Sequence, residues 1–244
     1  MSDYTKNFLT DVIFKVDFPV ILDLQDSPPK EFQNAIKEEY PILEPFQQFS
    51  FMMDKESEEP PQNLNRTIWK FMSKDKNRSI ELSYQSLIIV FKDYQSYEDF
   101  REIIEKIMAI FNELYKNVIV DRIGLRYINQ IELEEEDIFN WGDYINDCLI
   151  SNIDFLENKN QIKRTIDILE LSLDDEVTLN FRWGIYNSLY PSEVSKKEFL
   201  LDFDCFTRVQ IESGQVIGKL DIFNSIITGY FEKSIEDKFR ELLR

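Results

Sequence analysis

The sequence predicts an α+β fold: one large, mostly antiparallel sheet, amphipathic helices on one face, and an echo between two similar halves. Three observations predict it. Short runs of alternating apolar and polar residues recur along the chain, separated by turn-forming clusters, which is a hairpin pattern rather than a series of parallel crossovers. Two long segments, 96–116 and 214–243, carry apolar residues at helical spacing, and each closes a run of strands. With 20 phenylalanines and 11 tyrosines but only 6 glycines and 8 prolines in 244 residues, the chain has the volume for a sizeable core and little that favours disorder. The halves divide at 133/134: 1–133 is an N-terminal α+β half and 134–244 a C-terminal one, as two coupled units or one continuous domain.

The elements follow in order. Phe8–Phe18 opens as a strand, with Val16 and Phe18 on one side and Lys15 and Asp17 on the other. Asp26-Ser27-Pro28-Pro29 marks a helix start, since proline is tolerated in a first turn, and a short helix follows over 31–39. Pro41 and Pro45 interrupt it. Phe46–Met53 is a strand, and 54–65, charged and holding a proline pair, is a mobile loop. Strands at 67–73 and 79–83 flank a hairpin turn at Lys74-Asp75-Lys76-Asn77. The continuous apolar run 86–93 is a buried strand, preceded by a turn at Tyr84-Gln85.

Ser96, with Asp99 three residues on, caps the helix that runs to about Lys116; Phe100, Ile104, Ile107 and Phe111 lie on its apolar side. Val118–Leu133 returns as a long strand. The acidic run Glu134-Glu135-Glu136-Asp137 reads as a solvated helix N-terminus favoured by the helix dipole, with a helix over 138–150. After a turn at 158–161, strands at 162–173 and 177–186 surround Asp174-Asp175, and a third strand spans 198–211. Gly214 begins the last helix.

Net charge is −18, from 46 acidic and 28 basic residues, so a broad nucleic-acid footprint is disfavoured. Cys148 and Cys205 sit in apolar surroundings without a CxxC spacing and read as reduced, buried thiols of a cytosolic chain. The first residues lack the basic-then-apolar pattern of a secretory signal, and no window approaches a membrane span, so a soluble cytoplasmic protein is expected. Histidine is absent. That removes Ser-His-Asp and Cys-His catalysis and histidine metal sites, leaving carboxylate, lysine, tyrosine or arginine chemistry. No GxxxxGK[ST], GxGxxG or GxSxG motif occurs.

Candidate chemistry therefore rests on strand faces. In DRIGLRYINQIEL, Ile123, Leu125, Tyr127, Ile131 and Leu133 point one way with Asn129 among them, while Arg122, Gly124, Arg126, Gln130 and Glu132 point the other with Ile128 among them. VTLNFRWGIY repeats the layout, with Thr178, Asn180, Arg182 and Gly184 on its polar side. In EFLLDFDCFTRV, Asp202 and Asp204 share a face, about 7 Å apart along the strand. If these strands are neighbours, Arg182 lies across from Asp202 or Asp204 in an ordinary cross-strand ion pair. The functional alternative is a polar cavity of Arg122, Arg126, Arg182, Asp202 and Asp204, whose guanidinium forks would hold a carboxylate or phosphate ligand. The aspartate pair alone lacks a third ligand or a defined acid-base partner, so no catalytic residue, metal site or cofactor is assigned.

The opening FLTDVIFKVDF, WKFMS, FKDYQSYEDF, RIGLRYINQI, LDFDCF and the C-terminal FNSIITGYFEKSIEDKFRELL together resemble a sporadically distributed family of uncharacterised prokaryotic proteins of about this length. The most specific element is R-x-G-L-R-Y-x-N, here Arg122, Gly124, Leu125, Arg126, Tyr127 and Asn129. The resemblance implies architecture and no activity; patchy distribution associates it with anti-phage defence or toxin–antitoxin loci.

Three functions follow in order. The first is a soluble, non-catalytic interaction protein with a protein partner, basic by charge complementarity. The second is a sensor or enzyme for a small anionic ligand held against the arginine-lined sheet face. The third is nucleic-acid binding through that face. No membrane association is expected, and the oligomeric state stays open.

Overall fold

The computed structural model describes residues 4–51, 63–174 and 176–244. The strands are β1 (Leu9–Asp17), β2 (Ile42–Phe51), β3 (Asn63–Met72), β4 (Arg78–Ser83), β5 (Ser86–Phe91), β6 (Ile119–Val120), β7 (Arg122–Leu133), β8 (Asp167–Ser172), β9 (Val177–Gly184), β10 (Lys197–Thr207) and β11 (Ile211–Glu212). The helices are α1 (Leu22–Asp26), α2 (Lys30–Ile36), α3 (Tyr97–Leu114), α4 (Ser151–Asp154), α5 (Val216–Ser234) and α6 (Asp237–Leu243). Nine strands form one sheet in the order β2-β3-β4-β5-β1-β7-β10-β9-β8, while β6 pairs with β11. The α+β class with a large antiparallel sheet is what the alternation predicts. Two stretches of the chain, 9–114 and 122–234, run through a similar sequence of elements. Each begins with a strand (β1, β7), passes through a helical segment, and makes a meander whose last strand (β5, β10) neighbours the first; each then ends in a long helix (α3, α5).

Two compact units emerge, one of residues 14–123 and 209–217, the other of 1–13, 124–208 and 218–244. In the first, Phe14 and Val16 of β1 and Leu87 and Ile89 of β5 are fully buried. Ser96 Oγ accepts from the Asp99 amide at 3.1 Å, capping α3 as its sequence predicts. Phe100 of α3 meets Phe91 of β5 edge-on, with ring centres 5.0 Å apart. The β3–β4 turn is held by Asp75, whose carboxylate accepts from the Asn77 amide at 3.1 Å, with Lys76 at φ 62°. The loop predicted over 54–65 lies in part outside the described residues; Asn63–Asn65 already belong to β3.

In the second unit, β9 and β10 pair with Phe181 opposite Phe203, and their rings stack at 4.5 Å. Phe231 of α5 closes on Phe203 edge-on. The β8–β9 turn is tied by Asp174, which accepts from the amides of Glu176 and Val177 at 2.7 and 2.6 Å. Those amide bonds hold its carboxyl below the ordinary range.

Several predicted elements differ: the strand expected over 162–173 begins only at Asp167, and the one expected over 198–211 ends at Thr207. The strand expected over 118–133 breaks at Asp121, because 119–120 pair instead with β11. The helix expected over 138–150 does not form: residues 141–145 make tight turns and 147–149 a short 3-10 helix. Long-range bonds take its backbone, with the Asn146 amide donating to Ser234 and the Glu236 amide to Tyr144. The same bonds split the helix predicted from Gly214 into α5 and α6. Cys148, expected to be buried, is exposed in that 3-10 turn, whereas Cys205 is buried.

Candidate functional site

Three of the five candidate residues meet on one sheet face. Asp202 and Arg182 are direct partners in the β9–β10 ladder, the first of the two pairings that strand alternation allows. Arg126 reaches the same carboxylate from β7. Its Nε and Nη2 donate to the two Asp202 oxygens at 2.7 Å each, a fork-to-fork pair. Arg182 Nη1 donates to Oδ2 at 3.2 Å. Asp202 is only 2% exposed, whereas the Arg126 and Arg182 side chains are 35% and 30% exposed. Two guanidiniums therefore roof one carboxylate and keep their outer edges in water. The hydrogen bonds to Asp202 raise the Arg126 pKa above its ordinary value against the opposing effect of burial, and the charges of Asp204 and Asp11 add to the rise.

The other two candidates are placed differently. Arg122 approaches Asp17 at 4.0 Å. Asp204 lies opposite Asn180 in the β9–β10 ladder. Among the described residues, no group of three or more Cys, Asp or Glu side chains has the arrangement of a metal site.

A second cluster carries no motif that a sequence reading singles out. The Lys197 side chain is 0% exposed, and its ammonium donates to Glu135 at 2.6 Å and to the Asn140 carbonyl. The rings of Trp141 and Tyr144 lie 5.2 and 5.1 Å away and complete a cation–π enclosure. Tyr144 donates its hydroxyl to Glu135, and Lys238 lies 4.4 Å over the Tyr144 ring. Lys197 and Tyr144 hold the Glu135 carboxyl below its ordinary value, while burial and the Glu135 bond push Tyr144 up. Glu135 belongs to the acidic run expected to be a solvated helix start; it is instead the counterion of a buried lysine. The usable signal was Lys197 itself, a lysine at the head of a strand that runs on, after Glu198, into the apolar Phe199-Leu200-Leu201.

Next to it, Glu198 is also buried and accepts from the Ser188 amide and hydroxyl at 2.8 and 2.6 Å. In the other unit, an open cleft of about 410 Å³ is lined by Glu39, Arg78, Asp99, Glu102, Ile103 and Lys106. Its cations are paired, Arg78 with Asp93 at 2.9 Å and Lys106 with Glu39. No helix among the described residues is long and apolar enough to cross a membrane. No known family model matches the chain, and no curated protein matches it significantly.

Proposed function

We propose that the chain is a non-catalytic binding protein whose partner is a basic protein. One observation carries the reading: the charged side chains of the two clusters described above are engaged with one another. Asp202 holds Arg126 and Arg182, Glu135 holds Lys197, and Glu198 holds Ser188. Meanwhile the 46 acidic residues outnumber the 28 basic ones, and that surplus attracts a cationic partner over long range. The setting implied by the family resemblance, a defence or toxin–antitoxin locus, is part of this proposal only through that resemblance.

A small anionic ligand is the second reading, favoured by two half-exposed guanidiniums sharing a single carboxylate. It ranks lower because the ligand would have to displace a buried, doubly held aspartate. Nucleic acid ranks third on charge. The test is capture on the immobilised chain followed by size-exclusion at low and high salt. A complex with a basic protein that dissociates at high salt is expected. No complex at either ionic strength overturns the reading. Thermal stabilisation by an anionic metabolite that disappears in Arg126→Ala puts the second reading first.

A further inference from the structure

The sheet ends at β8, which pairs with β9 and with no other strand among the described residues. Hydrogen bonds from the Thr165 amide to the Ile185 carbonyl and from the Leu173 amide to the Val177 carbonyl flank this ladder on the same register. Because antiparallel pairs alternate between bonded and non-bonded, the odd-numbered residues of β8 exchange bonds with β9. Ile168, Glu170 and Ser172 therefore turn their N–H and C=O groups outward, along about 14 Å of strand. The side chains there are exposed too: Ile168 is 66% and Leu169 43% accessible. Such an edge is a template for an added strand.

Charge decides what fits it. Glu170 is exposed, sits mid-edge, and has no ion-pair partner among the described residues. Asp167 lies on the same strand, and the chain carries −18 overall, while Glu176 beyond the strand is already paired with Lys219 at 2.6 Å. A second copy added antiparallel about Glu170 would bring the two Glu170 carboxylates face to face, and like charges across strands destabilise pairing. Resting on the binding reading above, we infer that the β8 edge accepts an extended segment of a basic protein as an additional strand. The segment's apolar residues cover Leu169 and Leu171 on one face of the sheet, and its lysines or arginines meet Glu170 on the other.

The probe is a short fluorescent peptide alternating Lys and Val, with a Glu–Val peptide and an N-methylated Lys–Val peptide as comparisons. Binding of the Lys–Val peptide alone, read by anisotropy, is expected. Ile168→Pro removes an outward N–H without breaking the β9 ladder, so the sheet stays folded, checked by circular dichroism, and affinity falls about tenfold or more. Glu170→Lys lowers it about fivefold. Equal binding of the N-methylated peptide, or unchanged affinity in Ile168→Pro, overturns the edge while leaving protein binding by the chain intact. A concentration-dependent dimer abolished by Ile168→Pro assigns the edge to a second copy and overturns the basic partner. If the wild-type chain binds none of the peptides, the edge proposal is overturned, and salt-sensitive capture of a basic protein still decides the wider reading by itself.

Discussion

Replacing Asp202 removes the single carboxylate that holds two guanidiniums. Its three hydrogen bonds, two at 2.7 Å from Arg126 and one at 3.2 Å from Arg182, all run to a charged acceptor. Bonds of that kind contribute about 1.5–3 kcal/mol each, yet they are not additive within one cluster. Breaking a fully buried pair costs about 3–5 kcal/mol. Here the acceptor is buried but the donors are roughly one-third exposed, so water recovers part of their solvation. Asp202→Ala is therefore expected to destabilise by about 3 kcal/mol, at the low end of that range. For a chain of this length the melting midpoint falls by roughly 6–12 °C. Urea and thermal unfolding of the wild type, Asp202→Ala, Arg126→Met and the double variant measure both the loss and the coupling. A loss below about 1 kcal/mol, or no coupling between Asp202 and Arg126, refutes the claim that the cluster is a structural tie.

The remaining expectations concern separate parts of the same unit. Lys197→Met leaves the Asn140 carbonyl without its donor and should cost about 1–3 kcal/mol, with faster amide exchange confined at first to 135–146. Glu135, whose pKa is lowered by Lys197 from its ordinary 4.5, adds stability that is present above that value and lost as pH falls through the lower folded value. Acid titration of Glu135→Gln should lack that component, and an unchanged acid profile counts against the pair. A Cβ on Gly184, which has φ +136°, would stand 2.2 Å from the Thr165 carbonyl oxygen. Gly184→Ala should therefore lose at least about 2 kcal/mol in urea unfolding. Burial pushes the Cys205 thiol up to about 12 while Cys148 is exposed, so iodoacetamide should modify Cys148 in the folded chain and both thiols only after unfolding.

Legibility in the sequence tracks how local each determinant is. The alternation of β7, β9 and β10, the Ser96 cap and the Asp174 turn depend on neighbours in the chain, and the structure matches them. Alternation placed Arg182 across from Asp202 or Asp204 once the strands are adjacent, and the register of the ladder selects Asp202. Which of the other arginines joined was not legible, since that depends on β7 lying on the far side of β10. Residues 138–150 carry helical spacing, yet Trp141 packs on Phe199 at 5.0 Å and on Lys197 through a cation–π contact. Those partners lie more than 50 residues away, so periodicity alone misleads there. The exposure of Cys148 follows from the same missing helix.

Site-resolved amide exchange on the chain saturated with the Lys–Val peptide tests most directly whether binding uses the acidic sheet edge rather than the arginine face. New protection is expected at Ile168, Glu170 and Ser172 and none at Arg126 or Arg182. Protection centred on Arg126, Arg182 and Asp202, with β8 exchanging as in the free chain, would contradict binding at the edge.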